Sequence, residues 1–345
     1  MAESAALFSG WDIGGAHLKV SRCDRQGRII NSLELPCPLW QGIADLARTL
    51  QQALTLLGNS QDQHFITLTG ESADCFSNRQ QGVDEILNTV ASYLAAGNCH
   101  VFSQTQNWLS LDDARYHWQQ VASMNWLATA CWLATQHADA LLIDIGSTTS
   151  DIICIIDGRP QLQAFTDQGR LQSGELVYTG VIRTPLMALG QQIPFAGKTQ
   201  NVANELFATS GDVWRLLGKL PADIGDRSAD GQPWTTAHCQ ERLARMAGSD
   251  AGDYPEYVWQ QLAQWYGQQQ LQQLLTSCRQ VIASRSLSPE APVIGAGTGR
   301  FLAAMLTDQL NNRPYLDMAS LQIGEQATIA APATALALLG WQLFT

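Results

Sequence analysis

The stretch Gly10-Trp11-Asp12-Ile13-Gly14-Gly15-Ala16-His17-Leu18-Lys19 has a second copy in Leu142-Ile143-Asp144-Ile145-Gly146-Ser147-Thr148-Thr149-Ser150-Asp151. Each Asp-Ile-Gly follows an apolar, strand-like run and precedes another, and each second run ends in Gly-Arg, at Gly27-Arg28 and Gly158-Arg159. Two matching hairpins with an acidic residue and glycine at the bend indicate a duplicated fold that grips phosphate from two sides. An Asp closing a buried strand can hold a hydrated Mg²⁺, while the N–H groups of the tight turn point at phosphate oxygens. Glycine suits the bend because a Cβ would block that approach and because such turns often require positive φ.

Outward from the first turn, hydrophobic spacing predicts strands near 7–12, 17–23 and 29–35 and a helix over 43–57. A strand over 65–68 leads into Thr69-Gly70-Glu71, followed by a helix near 83–94, a strand over 100–102 and a long helix over 121–135. The second half restarts with strands at 141–143, 152–156 and 161–165. It continues with a helix over 203–218, an acidic loop over 221–233 and a helical region over 236–283 broken near Asp250-Ala251-Gly252-Asp253. A strand at 292–294 then enters Gly295-Ala296-Gly297-Thr298-Gly299-Arg300, and an apolar helix over 331–343 closes the chain. That G-x-G-x-G spacing does not match the dinucleotide fingerprint G-x-G-x-x-G. It reads either as a cradle for a nucleotide or other organic group between domains, or as a turn that lets helix pack on strand.

Length and composition set the frame. At 345 residues, with 46% hydrophobic and 15% charged residues, the chain suits two compact domains sharing a cleft, and its 28 glycines are dispersed. The expected division is residues 1–138 and 139–345, with a helical insertion at about 200–285 and a last helix packing back on the first domain. A net charge of −11 argues against nucleic acid or an anionic membrane as partner. No apolar run reaches the roughly 20 residues of a membrane span, and Met1-Ala2-Glu3-Ser4 lacks a basic leader start, so a cytoplasmic location is expected. The eight cysteines are scattered without a C-x-x-C pair and read as reduced core residues, not a zinc site. Asp223, Asp226 and Asp230 read as a solvated lid, since their spacing is not that of an EF-hand. Most of the tryptophans sit in helical or turn contexts and read as core, a few as lining for an aromatic pocket.

The three glycine segments, in this order, resemble the acetate kinase, sugar kinase, Hsp70 and actin superfamily. The implied fold is α/β, two ribonuclease-H-like domains with mixed sheets around a central cleft. Longer strings narrow the resemblance to the hydantoinase A/oxoprolinase-like branch. Within it the chain is similar to the tetrahydromethanopterin-linked one-carbon transfer pathway proteins, related to an archaeal methanofuran-biosynthesis enzyme. These strings are Cys37-Pro38-Leu39-Trp40-Gln41-Gly42, Thr69-Gly70-Glu71, Val177-Tyr178-Thr179-Gly180-Val181-Ile182-Arg183-Thr184-Pro185 and Glu205-Leu206-Phe207-Ala208-Thr209-Ser210, besides the two turns.

That resemblance implies an alkyl transfer in the making of a furan-containing one-carbon carrier. A furanmethanol diphosphate loses pyrophosphate and the phenol oxygen of a glutamyl-tyramine takes its place. The chemistry requires neutralisation of the leaving diphosphate, a base for the phenol, and exclusion of water. Asp12 and Asp144 are the expected Mg²⁺-organising carboxylates, with Gly14, Gly15, Gly146, Ser147, Thr148 and Thr149 around the phosphates. Lys19 reads as a phosphate cation or an outward-facing strand lysine. His17 and Glu71 are the candidate bases; either alternatively makes a structural hydrogen bond. Asp151 could orient Ser147 or the metal. Thr179, Gly180 and Arg183 are expected at an anionic substrate group, Arg183 alternatively in a salt bridge, and Gly295, Gly297 and Thr298 in the third cradle. The expected partners are thus a small-molecule diphosphate and a phenolic amine, with no requirement for ATP. The rival readings are an ATP-dependent small-molecule kinase or oxoprolinase-like amidohydrolase, and a nucleotide-binding regulatory protein.

Overall fold

Strand β1 (Phe8–Ile13) is buried along its whole length and forms the axis of the first sheet. The structure, a computed structural model, describes residues 7–57, 61–221, 223–321 and 323–345; the Met1-Ala2-Glu3-Ser4 start lies outside them. Among these residues the sheet has six strands in the order β3-β2-β1-β4-β5-β6. The strands are β2 (His17–Cys23), β3 (Ile29–Pro36), β4 (Gln63–Leu68), β5 (Cys99–Phe102) and β6 (Trp108–Leu109). β1, β2 and β3 pair antiparallel, whereas β4 joins β1, and β5 joins β4, in parallel. The sheet is therefore mixed.

Alternation along the strands separates two faces. Trp11, Ile13, Leu18, Val20, Ile66 and Leu68 point into a core closed by helix Ile43–Leu57, through Leu46, Leu50 and Ala53, and helix Arg79–Tyr93, through Val83, Ile86 and Leu87. The opposite face meets the last helix, Ala331–Phe344. A Cβ on Gly10 would lie 1.9 Å from the Ala333 carbonyl oxygen, and one on Gly340 would lie 2.3 Å from the Phe65 ring. The two glycines thus let helix and sheet meet backbone to backbone at Gly10 and backbone to ring at Gly340, and the Ala-rich composition of this helix follows from that closeness.

The second sheet has the order β10-β8-β7-β13-β14, with β9 also pairing β8. Its strands are β7 (Ala140–Ile145), β8 (Ser150–Ile156), β9 (Arg159–Gln161), β10 (Leu176–Val177), β13 (Val293–Ala296) and β14 (Tyr315–Asp317). A separate hairpin is formed by β11 (Gln192–Phe195) and β12 (Lys198–Asn201).

The chain divides into two compact units, one of residues 1–142, 153–170 and 316–345, the other of 143–152 and 171–315. This is not the single cut after residue 138 expected from the sequence. The apolar helix Ala331–Phe344 packs on β1, β2 and β4, which ties the end of the chain to the first unit.

Three further expectations are corrected. The helix expected over 121–135 is broken into Trp118–Val121 and Asn125–Ala134, with Ser123 at φ 56° between them. The helix expected over 203–218 is only Ser210–Leu216, because the Asp212 carboxylate accepts the Thr209 N–H at 2.9 Å and sets its start. The strand expected over 161–165 ends at Gln161. The region over 236–283 is two helices, Thr236–Met246 and Glu256–Ala283, parted near the expected position.

All eight cysteines are free and seven are buried, as expected of core thiols; Cys75 is exposed. Burial pushes the Cys37 thiol up to about 11. Among the described residues no helix is long and apolar enough to cross a membrane.

Candidate active site

The two Asp-Ile-Gly turns close in the same way. Gly14 N–H donates to the His17 carbonyl at 3.0 Å, and Gly146 N–H donates to the Thr149 carbonyl at 3.0 Å. The first glycine of each motif thus seals a four-residue bend and leaves Gly15-Ala16, or Ser147-Thr148, at its tip. The carboxylate preceding each bend is similarly placed on its strand, with Asp12 5% and Asp144 8% exposed. None of Gly14, Gly15 and Gly146 has positive φ, contrary to the sequence expectation. Gly14 is required for another reason: its Cβ would sit 2.9 Å from the His17 carbonyl oxygen. At Gly15 a Cβ would meet nothing within 4 Å.

In the first unit, neighbouring loops hold the turn. Thr69 and Gly70 N–H groups both donate to the Ile13 carbonyl at 2.9 Å. Leu39 N–H donates to Gly15 O at 3.0 Å and Cys37 N–H to Ala16 O at 2.8 Å, so the Cys37–Gly42 string braces the tip. Register places Glu34, Lys19, Asp12 and Thr67 opposite one another across β3, β2, β1 and β4, in a polar row on one face. His17 shares that face by its two-residue offset from Lys19. Lys19 Nζ lies 3.5 Å from Glu34 Oε1, so this half-buried lysine is drawn along the row on the face of Asp12.

Glu71 makes the structural hydrogen bond that is the alternative to a role as base. Its carboxyl is fully buried, and Ser123 Oγ donates to Oε1 at 2.7 Å. Burial pushes this carboxyl above its ordinary value, partly opposed by the Ser123 hydrogen bond. A Cβ on Gly82 would lie 2.2 Å from the Glu71 carbonyl oxygen, so the start of helix Arg79–Tyr93 presses directly on it. As placed, Glu71 ties loop to helix and is closed to a substrate.

In the second unit, the 179–183 loop is fastened to the turn. Val181 N–H donates to Gly146 O at 3.0 Å, while Ile182 and Arg183 N–H donate to Ser147 O at 3.1 and 2.9 Å. Gly180 is required at this contact, since its Cβ would fall 2.4 Å from Ser147 O. Thr179 is buried, its hydroxyl oxygen 3.2 Å from that of Thr184. Thr179 and Gly180 therefore brace the turn from behind and do not open toward a ligand. Arg183 is exposed and leaves the backbone beside Ser147, which suits an anionic group. Ser147, Thr148 and Thr149 are half-buried at the bend, and Asp151 is half-buried at the start of β8.

The third glycine segment joins this turn through β13, the neighbour of β7. Gly299 N–H donates to Ile145 O at 2.8 Å. Gly297 has φ 78°, and its Cβ would lie 2.4 Å from Ile145 O and 2.6 Å from Asp144 Oδ1. Gly295 meets the Tyr315 ring instead, its Cβ site 2.6 Å from the hydroxyl. Thr298, between the two close-packed glycines, is half-buried.

Sequence reading missed Gln270, which is fully buried in helix Glu256–Ala283 and donates hydrogen bonds to Thr179 and Gly180 of the 179–183 loop. Its signal was a polar residue on the apolar stripe Val258, Leu262, Tyr266, Leu271, Leu274 and Leu275. The acidic loop is no free lid. Asp230 pairs with Arg242 at 2.9 Å and Arg245 at 3.1 Å, and Arg242 also pairs with buried Asp212 at 2.8 Å.

Among the described residues no three His, Cys, Asp or Glu side chains cluster as a metal cage. One buried carboxylate per turn is instead the donor set of an ion that keeps waters and takes phosphate oxygens, as Mg²⁺ does. At its own turn, each of Asp12 and Asp144 is a carboxylate of that kind.

The chain is thus a mixed-sheet α/β protein built on two such strand-turn-strand units, and it shares this fold with solved structures. Among solved structures the chain is similar to nucleotide-free acetone carboxylase, with TM-score 0.63 and 10% identity over 96% of this chain and 70% of that one. It is also similar to component A of (R)-2-hydroxyglutaryl-CoA dehydratase from Acidaminococcus fermentans, with TM-score 0.50 and 9% identity over 98% and 99% of the two chains. More narrowly, the chain belongs to the hydantoinase/oxoprolinase family, whose sequence model matches residues 63–342. A relative in Methanocaldococcus jannaschii, named (4-{4-[2-(gamma-L-glutamylamino)ethyl]phenoxymethyl}furan-2-yl)methanamine synthase, is 33% identical over 248 residues, covering 71% of this chain and 72% of that protein.

Proposed function

We propose that this protein is a transferase of methanofuran-type carrier biosynthesis, joining a furanmethanol diphosphate to the phenol oxygen of a glutamyl-tyramine and releasing pyrophosphate. The synthase relative supports the bond formed, because a phenoxymethyl-furan contains an aryl ether between phenol oxygen and furfuryl carbon. The observation that carries the leaving group is the pair of identically closed turns, each with a buried carboxylate behind a glycine-bearing tip. Such turns present N–H donors to phosphate oxygens wherever the phosphate originates.

In this reading the phenol oxygen attacks the furfuryl methylene as the carbon–oxygen bond to diphosphate breaks. The electron pair of that bond leaves with the pyrophosphate, and the phenol proton passes to a base. With Glu71 closed off, His17 is the base candidate among the two, standing at the first turn on the face of Asp12. Backbone N–H groups at Gly15, Ala16, Ser147 and Thr148 receive phosphate oxygens, and Arg183 holds the glutamyl carboxylate. Mg²⁺ held at either turn, by Asp12 or by Asp144, would supply neutralising charge for the departing diphosphate.

The test supplies purified protein with Mg²⁺, the furanmethanol diphosphate and a tyramine derivative, and follows pyrophosphate and ether product. A parallel arm supplies ATP in place of the diphosphate. The proposal expects ether and pyrophosphate in equal amounts without ATP. Substrate-dependent ATP cleavage with no ether would overturn it in favour of the kinase or amidohydrolase reading.

A further inference from the structure

Gln270 stands in the buried stripe of helix Glu256–Ala283, where burial otherwise selects apolar residues. Its amide is fully satisfied. Trp214 Nε1 donates to Gln270 Oε1 at 2.6 Å, and Gln270 Nε2 donates to Thr179 Oγ1 at 3.0 Å and to Gly180 O at 2.7 Å. Indole N–H is a donor only, so the amide oxygen must face Trp214 and the NH₂ must face the loop. The orientation is therefore set by chemistry.

The Gly180 carbonyl is the hub of this arrangement. It also accepts from Thr184 Oγ1 at 2.9 Å and from Ser210 Oγ at 2.8 Å. Directly after it, Val181, Ile182 and Arg183 donate their N–H groups to Gly146 O and Ser147 O. The carbonyls of the second turn are thereby taken from behind, which fixes the direction in which the turn's own N–H groups point. A loop position is sharpest when its supporting contacts lock it.

We infer that Gln270 is a positioning residue for the second phosphate turn, acting through Thr179-Gly180 and touching no substrate itself. The inference rests on the proposed diphosphate reading of that turn. It assigns the long helix a function beyond packing: one side-chain amide transmits the helix's rigidity to the backbone donors of the site.

The test compares the wild type, Gln270→Leu and Leu274→Ala by calorimetric titration with magnesium pyrophosphate, alongside thermal melting. Leu274 lies one turn further along the same fully buried stripe, so its truncation loosens the helix without touching the loop. The expected result is pyrophosphate binding about tenfold weaker in Gln270→Leu, corresponding to ~1.4 kcal/mol, and near wild-type binding in Leu274→Ala despite its lower melting temperature. Equal weakening in both variants would overturn the inference by showing general loosening. Wild-type affinity in Gln270→Leu would overturn it while leaving the diphosphate reading intact. A wild-type protein that does not bind magnesium pyrophosphate would sink that reading and the inference with it.

Discussion

Replacing Gly297 by alanine tests whether the third glycine segment is part of the site or only a helix start. Two costs follow from the geometry. The residue has φ 78°, where an alanine costs ~1–2 kcal/mol. Its Cβ would also stand 2.4 Å from Ile145 O and 2.6 Å from Asp144 Oδ1. Ordinary van der Waals contact needs roughly 1 Å more, and overpacking of this kind costs ~1–3 kcal/mol. The sum is on the order of 2–5 kcal/mol, a large part of a typical domain's ~5–15 kcal/mol. Because one of the displaced atoms is the Asp144 carboxylate, a shift of about 1 Å should also cost ~100-fold in turnover. Urea unfolding gives the first quantity and pyrophosphate release the second. An alanine variant within ~0.5 kcal/mol of wild-type stability, a change usual for neutral surface sites, and within about twofold in turnover would refute this account of Asp144.

Three further substitutions probe individual carboxyl groups. Asp12→Asn and Asp144→Asn keep shape but remove charge, so each should fold normally and lose ~100-fold or more in turnover; near-normal rates in either would remove that residue from the mechanism. Glu71→Gln addresses pH. Burial raises the Glu71 carboxyl in the folded state, so above its unfolded value of about 4.3 the folded form holds more protons and this group's contribution to stability falls as pH rises. Gln keeps an acceptor for Ser123 without that dependence. The variant should therefore match or exceed wild-type stability at neutral pH by ~1 kcal/mol, with a flatter profile in urea titrations from pH 4 to 8. Marked destabilisation at neutral pH would show that the charged carboxylate is itself needed.

The duplicated turns were legible because each required a particular short string, Asp-Ile-Gly after an apolar run. The same holds for helix Ile43–Leu57, where Leu46, Leu50 and Ala53 repeat at helical spacing and the observed bounds agree with expectation. Elements set by tertiary contacts were not legible. Ser123 breaks a helix while its hydroxyl reaches Glu71, 52 residues away in sequence. The β11–β12 hairpin has few apolar residues and was missed. At the site, the candidates next to a turn were placed there by chain connectivity alone. What their side chains do depends on strand register and on distant partners: Lys19 meets Glu34, Glu71 meets Ser123, and Thr179 meets Gln270 across 91 positions.

The claim that the turn tips receive phosphate is tested most directly at Gly15, where a Cβ meets no protein atom within 4 Å and φ is not positive. Gly15→Ala should leave stability within ~1 kcal/mol of wild type, or raise it slightly. If a diphosphate oxygen approaches this backbone, the added methyl group should weaken magnesium pyrophosphate binding about tenfold or more in calorimetric titration. Unchanged affinity with unchanged stability would contradict the phosphate cradle.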